Sequence, residues 1–210
     1  MPTTNSPTTR RKRRAGGEKR ILVLDTVAEV LAERGYENTR FADVSAASGV
    51  AISTLQNYFG SRLDMVVEAM ELATIREVDA LESVAAAEHD PWVRLVAMVD
   101  RSLDNPPRAQ RMLVEFWRST MRDDELRRYG IEMWERYRAP FLAAVGEGRE
   151  QGAFTPTASP DDVVDLVLSA LAGATVFRVL HHPAPPPGAG FRGVLLAQLR
   201  SMLGLGVAAR

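Results

Sequence analysis

The sequence predicts an all-α protein, because the apolar residues of its segments recur at helical spacing. In the first segment these positions are Ile21, Leu24, Ala28 and Leu31. Glycine and proline divide the chain, since Gly35 can end the first helix and prolines occur where later helices begin. A length of 210 residues with 46% hydrophobic content is typical of a globular chain with one large or two small domains.

The composition excludes several classes of protein. The chain has no cysteine, which excludes disulfides and thiolate metal sites. The basic N-terminus is not followed by an apolar segment, so it is not a secretory signal. No apolar run approaches the roughly 18–20 residues that span a bilayer. We therefore expect a cytoplasmic protein.

The charge is distributed unevenly along the chain. Residues 1–62 carry a net charge of +4 and residues 63–210 a net charge of −5, against −1 overall. A basic end on an acidic remainder favours contact with a polyanion such as DNA. Residues 1–17 are polar, basic and rich in proline and threonine, and are predicted to form a disordered arm. The basic run within them could follow phosphates, enter a minor groove, act as a sequence-indifferent anchor, or have no partner.

Residues 18–62 are predicted to form three helices with a sharp turn between the second and third. The first helix runs from about Glu18 to Arg34, and Thr39 is placed to cap the second. Gly49 supplies the positive φ that the turn requires. The third helix, residues 52–59, turns Leu55 to the core and keeps an almost uncharged polar face outward. Such a face suits base edges and phosphates, so the pattern predicts a helix-turn-helix DNA-binding domain.

The rest of the chain, residues 63–210, is predicted to form a larger helical domain. A long helix from Arg62 to about Ala87 leads into it. Proline, glycine and acidic residues then delimit five further helices, at about 91–105, 108–121, 124–151, 160–181 and 191–203. Pro140 lies inside the third of these and should kink it.

Residues 18–66 resemble the N-terminal domain of the TetR family of bacterial transcriptional regulators. The residues that carry the resemblance are Ile21-Leu22, Ala28, Leu31, Gly35-Tyr36, Thr39, Val44, Ala47, Gly49-Val50, Thr54-Leu55, Tyr58-Phe59 and Ser61-Arg62. Three positions depart from the family pattern. Ala51 cannot cap the third helix, Gln56 replaces a tyrosine that usually touches phosphate, and Leu63 replaces an acidic residue.

The resemblance implies a homodimeric, ligand-responsive regulator, most often a repressor, that binds a palindromic DNA operator and is released by a small molecule. It implies that Thr39, Arg40 and Arg62 contact phosphates and that Ser53 and Asn57 read bases. Thr54 and Tyr58 would contact either phosphates or bases. Gln56 also lies on the DNA-facing side, but because it replaces the family's tyrosine, the family's contact at this position carries over less directly. Core packing is the alternative reading of Tyr58.

The helical body offers aromatic and methionine side chains that suit a small apolar or aromatic effector. The candidates for its pocket are Met98, Met112, Phe116, Trp117, Trp134, Tyr137, Phe141 and Phe177. Each could equally be an ordinary core residue. The polar groups that could orient an effector are Glu115, Arg118, Glu132 and Arg138.

The last two helices are strongly apolar, which predicts a four-helix interface between two subunits. The expected interface residues are Val163, Val167, Ala170, Leu171, Ala174, Phe177, Val194, Leu195, Leu199 and Met202. A twofold dimer is also what a palindromic operator requires, and the resemblance implies the same arrangement.

Other functions find little support in the sequence. The pair His181-His182 suggests a metal, but adjacent histidines without a nearby carboxylate or cysteine rarely form a site. No phosphate-binding glycine loop or catalytic motif is present. We therefore expect no metal, no cofactor and no enzymatic activity. The alternative is a helical small-molecule-binding or protein-interaction module with weak, non-specific DNA affinity, favoured by Ala51 and Gln56.

Overall fold

The computed structural model describes residues 17–181 and 190–206. Within these ranges the chain forms nine α-helices, one short 3₁₀ turn at Tyr36–Asn38, and no strand. The helices are α1 (Gly17–Arg34), α2 (Phe41–Ser48), α3 (Ile52–Phe59), α4 (Arg62–Ala86), α5 (Pro91–Leu103), α6 (Pro107–Thr120), α7 (Asp124–Glu150), α8 (Pro160–His181) and α9 (Phe191–Met202). The all-α prediction is confirmed. The predicted arm lies outside the described residues, except Gly17, which begins α1.

Side-chain caps and glycine turns fix several helix ends. The Asp90 carboxylate accepts the backbone N–H groups of Trp92 and Val93 at the start of α5, beside Pro91 at the first helical position. Gly49 ends α2 at φ 70°, the left-handed conformation that its place in the sequence predicts. The expected kink at Pro140 stays a prediction, and α7 passes through this residue as one helix.

Thr39 does not cap α2, contrary to expectation. The N-cap residue is Arg40, whose backbone N–H donates to Oδ2 of Asp43 at 3.1 Å. The Thr39 hydroxyl instead donates to the carbonyl oxygen of Gly35 at 2.8 Å, and the side chain is fully buried. Thr39 thus ties the 3₁₀ turn to the end of α1.

Two apolar clusters hold the helices together, and the first spans the predicted domain boundary. It contains Leu31 of α1 and Leu55 of α3, but also Phe116 of α6 and Leu126 of α7. The DNA-binding helices therefore share a core with the body of the protein. The second cluster joins the end of α4 to α5, α7, α8 and α9.

Helix α8 corrects the expectation about apolar segments, because it is long and apolar enough to cross a bilayer by length and composition. Asp165 interrupts its apolar sequence without lowering the average hydropathy enough to exclude it. In the subunit α8 packs against α5, α6, α7 and α9. Its buried side chains, such as Val163, Val167 and Leu171, belong to the second cluster. A helix that is apolar all round needs protein or lipid on its remaining face.

Two glycines of α7 allow a matched test of the packing around Phe154. A Cβ atom at Gly148 would overlap the ring of Phe154, whereas a Cβ atom at Gly146 would meet no atom within 4 Å. Gly148→Ala should lower the free energy of unfolding by about 1–3 kcal/mol through overpacking. Gly146→Ala should raise it by about 0.5–1 kcal/mol through helix propensity. Urea denaturation of both variants measures this, and equal responses would show that Phe154 moves aside freely.

Candidate DNA interface and effector cavity

Helix α3 presents the expected polar face. Ser53, Gln56 and Asn57 are exposed, while Leu55 and Phe59 are buried in the first cluster. The buried residues fix the orientation of the helix, so the three exposed side chains point away from the protein. They carry hydrogen-bonding groups, and asparagine and glutamine are side chains that can pair with the edge of adenine.

The N-terminus of α3 has no side-chain cap, as its sequence predicts. The N-cap residue is Ala51, and it makes no side-chain hydrogen bond to the helix. The first backbone N–H groups of an α-helix have no partner within the helix and attract anions. The backbone N–H groups at the start of α3 can therefore donate hydrogen bonds to a phosphate oxygen of DNA.

The two residues predicted to contact phosphate at the start of α2 differ in their exposure to solvent. Arg40 is exposed and available to a phosphate. The side chain of Thr39 is buried, and its hydroxyl is engaged by Gly35. The prediction that Thr39 contacts phosphate is therefore wrong for its side chain.

Arg62 stabilises the DNA-binding domain from within. Its guanidinium lies 4.3 Å from the centre of the Tyr36 ring, and Nη1 donates to the carbonyl oxygens of Tyr36 and Glu37. Burial raises the pKa of the Tyr36 hydroxyl, against the opposing effect of Arg62. This arginine was expected to contact a phosphate, but the structure gives it a role in holding the 3₁₀ turn against α4.

Thr54 and Tyr58 lie at the edge of the DNA-facing surface, both half-buried. The Tyr58 ring packs edge-on against Phe59 and contacts the first cluster. Tyr58 therefore has a packing role, as the alternative reading held, and its partial exposure leaves a DNA contact open to test.

A cavity of about 140 Å³ lies in the body, and five of the eight predicted pocket residues line it. These five are Met112, Phe116, Trp117, Trp134 and Tyr137. Met98 and Phe141 are buried elsewhere in the second cluster, and Phe177 is 58% exposed on the outer face of α8. The pocket prediction is wrong for these three, because helical periodicity identifies an apolar face but not the void that the face borders.

The remaining walls include residues that the sequence did not assign to the pocket, most of all on α4, where it assigned none. Helix α4 contributes Met70, Thr74 and Glu77, and α5 contributes Ser102. Apolar and small polar residues on a helix interpreted as a connector gave no sign of a cavity. Only their position opposite α6 and α7 reveals it.

The charged groups expected to orient an effector do not line the cavity. Glu115 and Arg118 pair with each other, with Oε2 and Nη2 separated by 2.9 Å. Glu132 is exposed. Arg138 pairs with Asp161 and Asp165 of α8, at 2.8 and 2.6 Å.

Glu77 is the charged group that the structure places at the cavity. Its Oε2 atom pairs with Nη2 of Arg101. Burial raises the pKa of the Glu77 carboxyl group, and the nearby Arg101 charge lowers it to a smaller extent. Next to them, the Ser102 hydroxyl and the Tyr137 hydroxyl are 2.7 Å apart, and burial raises the pKa of Tyr137 to about 12.

The exposed apolar surface of α8 and α9 differs from the predicted interface. Five of the expected interface residues are buried inside their own subunit and cannot reach a partner: Val163, Val167, Leu171, Leu195 and Leu199. Phe177 and Val194 are exposed, by 58% and 63%, and so are Leu166, Val176 and Leu180, which the prediction omitted. The sequence shows that α8 and α9 are apolar. It does not show which face of each helix packs inside the subunit and which face remains exposed.

Two parts of the sequence match known families. Residues 23–69 match the bacterial regulatory proteins of the tetR family. Residues 91–204, more than half of the chain, match the C-terminal domain of BetI-type transcriptional repressors. The chain belongs to the TetR family. It is therefore a ligand-responsive, DNA-binding transcriptional regulator with a helix-turn-helix domain and a helical C-terminal domain. No curated protein matches the sequence.

Solved structures share the fold of this TetR-family protein. A fatty acid degradation regulator, FadR, from Bacillus halodurans has a TM-score of 0.76 at 20% identity, covering 93% of this chain and all of the other. A regulator from Saccharomonospora viridis bound to choline has a TM-score of 0.73 at 20% identity, with the same coverage. FadR from Bacillus subtilis bound to stearoyl-CoA has a TM-score of 0.71 at 17% identity, covering 88% and 96%.

Arg40 is exposed and Arg62 is bound to the 3₁₀ turn, so replacing the first should affect DNA binding and replacing the second should affect stability. Arg40→Ala should weaken binding to all DNA sequences and lower the slope of log affinity against log salt by about one, with unchanged stability. Arg62→Ala should lower the free energy of unfolding by about 1–2 kcal/mol through lost stacking and hydrogen bonds. Salt titrations of DNA binding and urea denaturation check this. An unchanged salt slope for Arg40→Ala would remove Arg40 from the interface.

Proposed function

We propose that this TetR-family protein is a cytoplasmic repressor that binds a palindromic operator as a homodimer and releases it when a small molecule fills the cavity. The observation that carries this proposal is the double role of α6. Its residues Met112 and Phe116 line the cavity and also belong to the cluster that holds α1 and α3. A ligand that moves α6 therefore acts directly on the packing of the DNA-binding helices.

Two further contacts join α6 to α1 and to Gly35, the residue that follows α1. Arg108 pairs with Glu29 at 2.7 Å, and Gly35 approaches Glu115 so closely that a Cβ atom would lie 3.0 Å from its Oε2. These contacts make α1 and α6 move together. The operator half-sites of such dimers lie about 34–36 Å apart, one helical turn of DNA. A shift of a few ångströms in each α3 would move the two recognition helices out of register with these half-sites. A typical allosteric coupling free energy of about 1–3 kcal/mol is sufficient to lower operator affinity in this way.

The size of the cavity favours a small effector. A cavity of about 150 Å³ in another protein holds benzene, so about 140 Å³ suits a ligand the size of one ring. Among the structural neighbours, one binds choline and another stearoyl-CoA. The volume of the cavity in this protein favours a ligand closer in size to choline than to stearoyl-CoA.

Selection of bound duplexes from a random pool, at near-physiological salt, tests sequence-specific DNA binding. We expect an inverted repeat with half-sites about one turn apart. Asn57→Ala should lose the preference at one base pair per half-site, because an asparagine that reads a base contributes about 1–3 kcal/mol of discrimination. Recovery of unenriched sequences would favour the alternative, a helical small-molecule-binding or protein-interaction module with weak, non-specific DNA affinity.

The dimer is expected to form through the exposed apolar surface of α8 and α9. Phe177 is central to the proposal because it is a large aromatic side chain that the subunit leaves uncovered. Phe177→Glu should yield monomers in light scattering coupled to size-exclusion chromatography, with a large loss of operator affinity. Ile75→Glu is the control, since Ile75 is 46% exposed on α4, away from this surface. A Phe177→Glu protein that remains dimeric would place the interface elsewhere.

A further inference from the structure

Glu77 has an unusual hydrogen-bonding state. Within the part of the chain that the structure describes, its Oε1 atom is buried and has no hydrogen-bond partner. The side chain lines the cavity and is only 17% exposed. Leaving a buried acceptor unpaired is costly, and more so for a charged one. A ligand with a hydrogen-bond donor would remove that cost.

The other oxygen of the carboxylate is already engaged. Oε2 accepts from Nη2 of Arg101, whose Nη1 lies 3.4 Å from Oδ1 of Asn105. The Arg101 side chain is 29% exposed, so solvent and salt screen its charge. The carboxylate thus has one oxygen paired with Arg101 and one oxygen without a hydrogen-bond partner among the described residues.

The neighbouring hydroxyls do not supply a donor to this oxygen. The Ser102 hydroxyl lies 2.9 Å from the carbonyl oxygen of Met98 and 2.7 Å from the Tyr137 hydroxyl. The two hydroxyls are thus hydrogen-bonded to each other and to the backbone. Neither of them is a hydrogen-bond partner of Oε1 of Glu77.

Aromatic rings form much of the remaining wall. Phe116, Trp117, Trp134 and Tyr137 line the same cavity as Glu77. Tryptophan and tyrosine faces attract cations, and the attraction is stronger where water is excluded. A cavity lined by a carboxylate and several aromatic rings is an environment for a positively charged group attached to an apolar body.

We propose that the effector is a small protonated amine, about one ring in size, whose N–H group donates to Oε1 of Glu77 and whose charge lies among these rings. This inference rests on the proposed function, since it specifies the ligand of the same cavity. An anionic ligand would bring a second negative charge to Glu77 and no donor. Because Glu77 belongs to α4, which begins next to α3, a bound amine also acts on the helix that leads to the DNA-binding domain.

Three probes with the same ring test the chemistry of the head group: benzylamine, benzyl alcohol and benzoate. Calorimetry with the purified full-length protein should give the tightest binding for benzylamine, weaker binding for benzyl alcohol and none detected for benzoate. Operator release should follow the same order. Benzoate binding as tightly as benzylamine would overturn the proposal, and so would the absence of benzylamine binding at millimolar concentration.

Variants then locate the contact. Glu77→Gln keeps the shape but removes the charge, and should weaken benzylamine binding about ten- to a hundredfold while changing benzyl alcohol binding far less. Glu82→Gln, at an exposed position of the same helix, should change neither. Equal benzylamine affinities for the two variants would overturn the assignment to Glu77. If Glu77→Gln does not fold, Trp134→Leu replaces it, and it should reduce benzylamine binding more than benzyl alcohol binding.

A cavity-filling variant separates the failure of this proposal from failure of the proposed function. Ala172 lines the cavity on α8, and Ala172→Phe should fill it without any ligand. If the probes fail but Ala172→Phe alters operator affinity, the amine proposal is overturned while the effector cavity stands. If the probes fail and filling the cavity leaves operator affinity unchanged, both are overturned.

Discussion

The apolar contact between α1 and α6 is the constraint on which the rest of the structure depends. Leu31 and Phe116 belong to one buried cluster, so the DNA-binding helices and the body of the protein share a core. A small three-helix unit buries only a modest fraction of its surface by itself. The shared core adds to that burial and joins the packing of α1 and α3 to that of α6.

The cavity lies between the two apolar clusters. Its walls include Phe116 from the first cluster, Leu168 from the second and Glu77 of α4. Interiors are close-packed and transmit strain, so filling or emptying a void at this junction must be absorbed by helix movement. The ion pair between Arg101 and Glu77 adds a polar contact to this wall of the cavity.

Helix α8 carries apolar residues on two faces, of which the subunit covers only one. Its inner residues, such as Val167 and Leu171, complete the second cluster, while Leu166, Phe177 and Leu180 remain exposed. Composition alone does not distinguish this helix from a membrane-spanning one. A regulator that reads a twofold operator has a use for such a face, because covering it with a second subunit also sets the spacing of the two recognition helices.

The sequence by itself determined the nine helices of the described ranges, the turn at Gly49 and the outward face of α3, because helical spacing, caps and glycine conformations are local properties. It also placed five cavity residues on the correct helices. Only the tertiary structure decided that Thr39 and Arg62 hold the domain together, since their partners are backbone carbonyls that no sequence pattern marks. The same holds for Glu77 and for the two faces of α8, because burial depends on which helices meet, and that is settled by packing between distant segments.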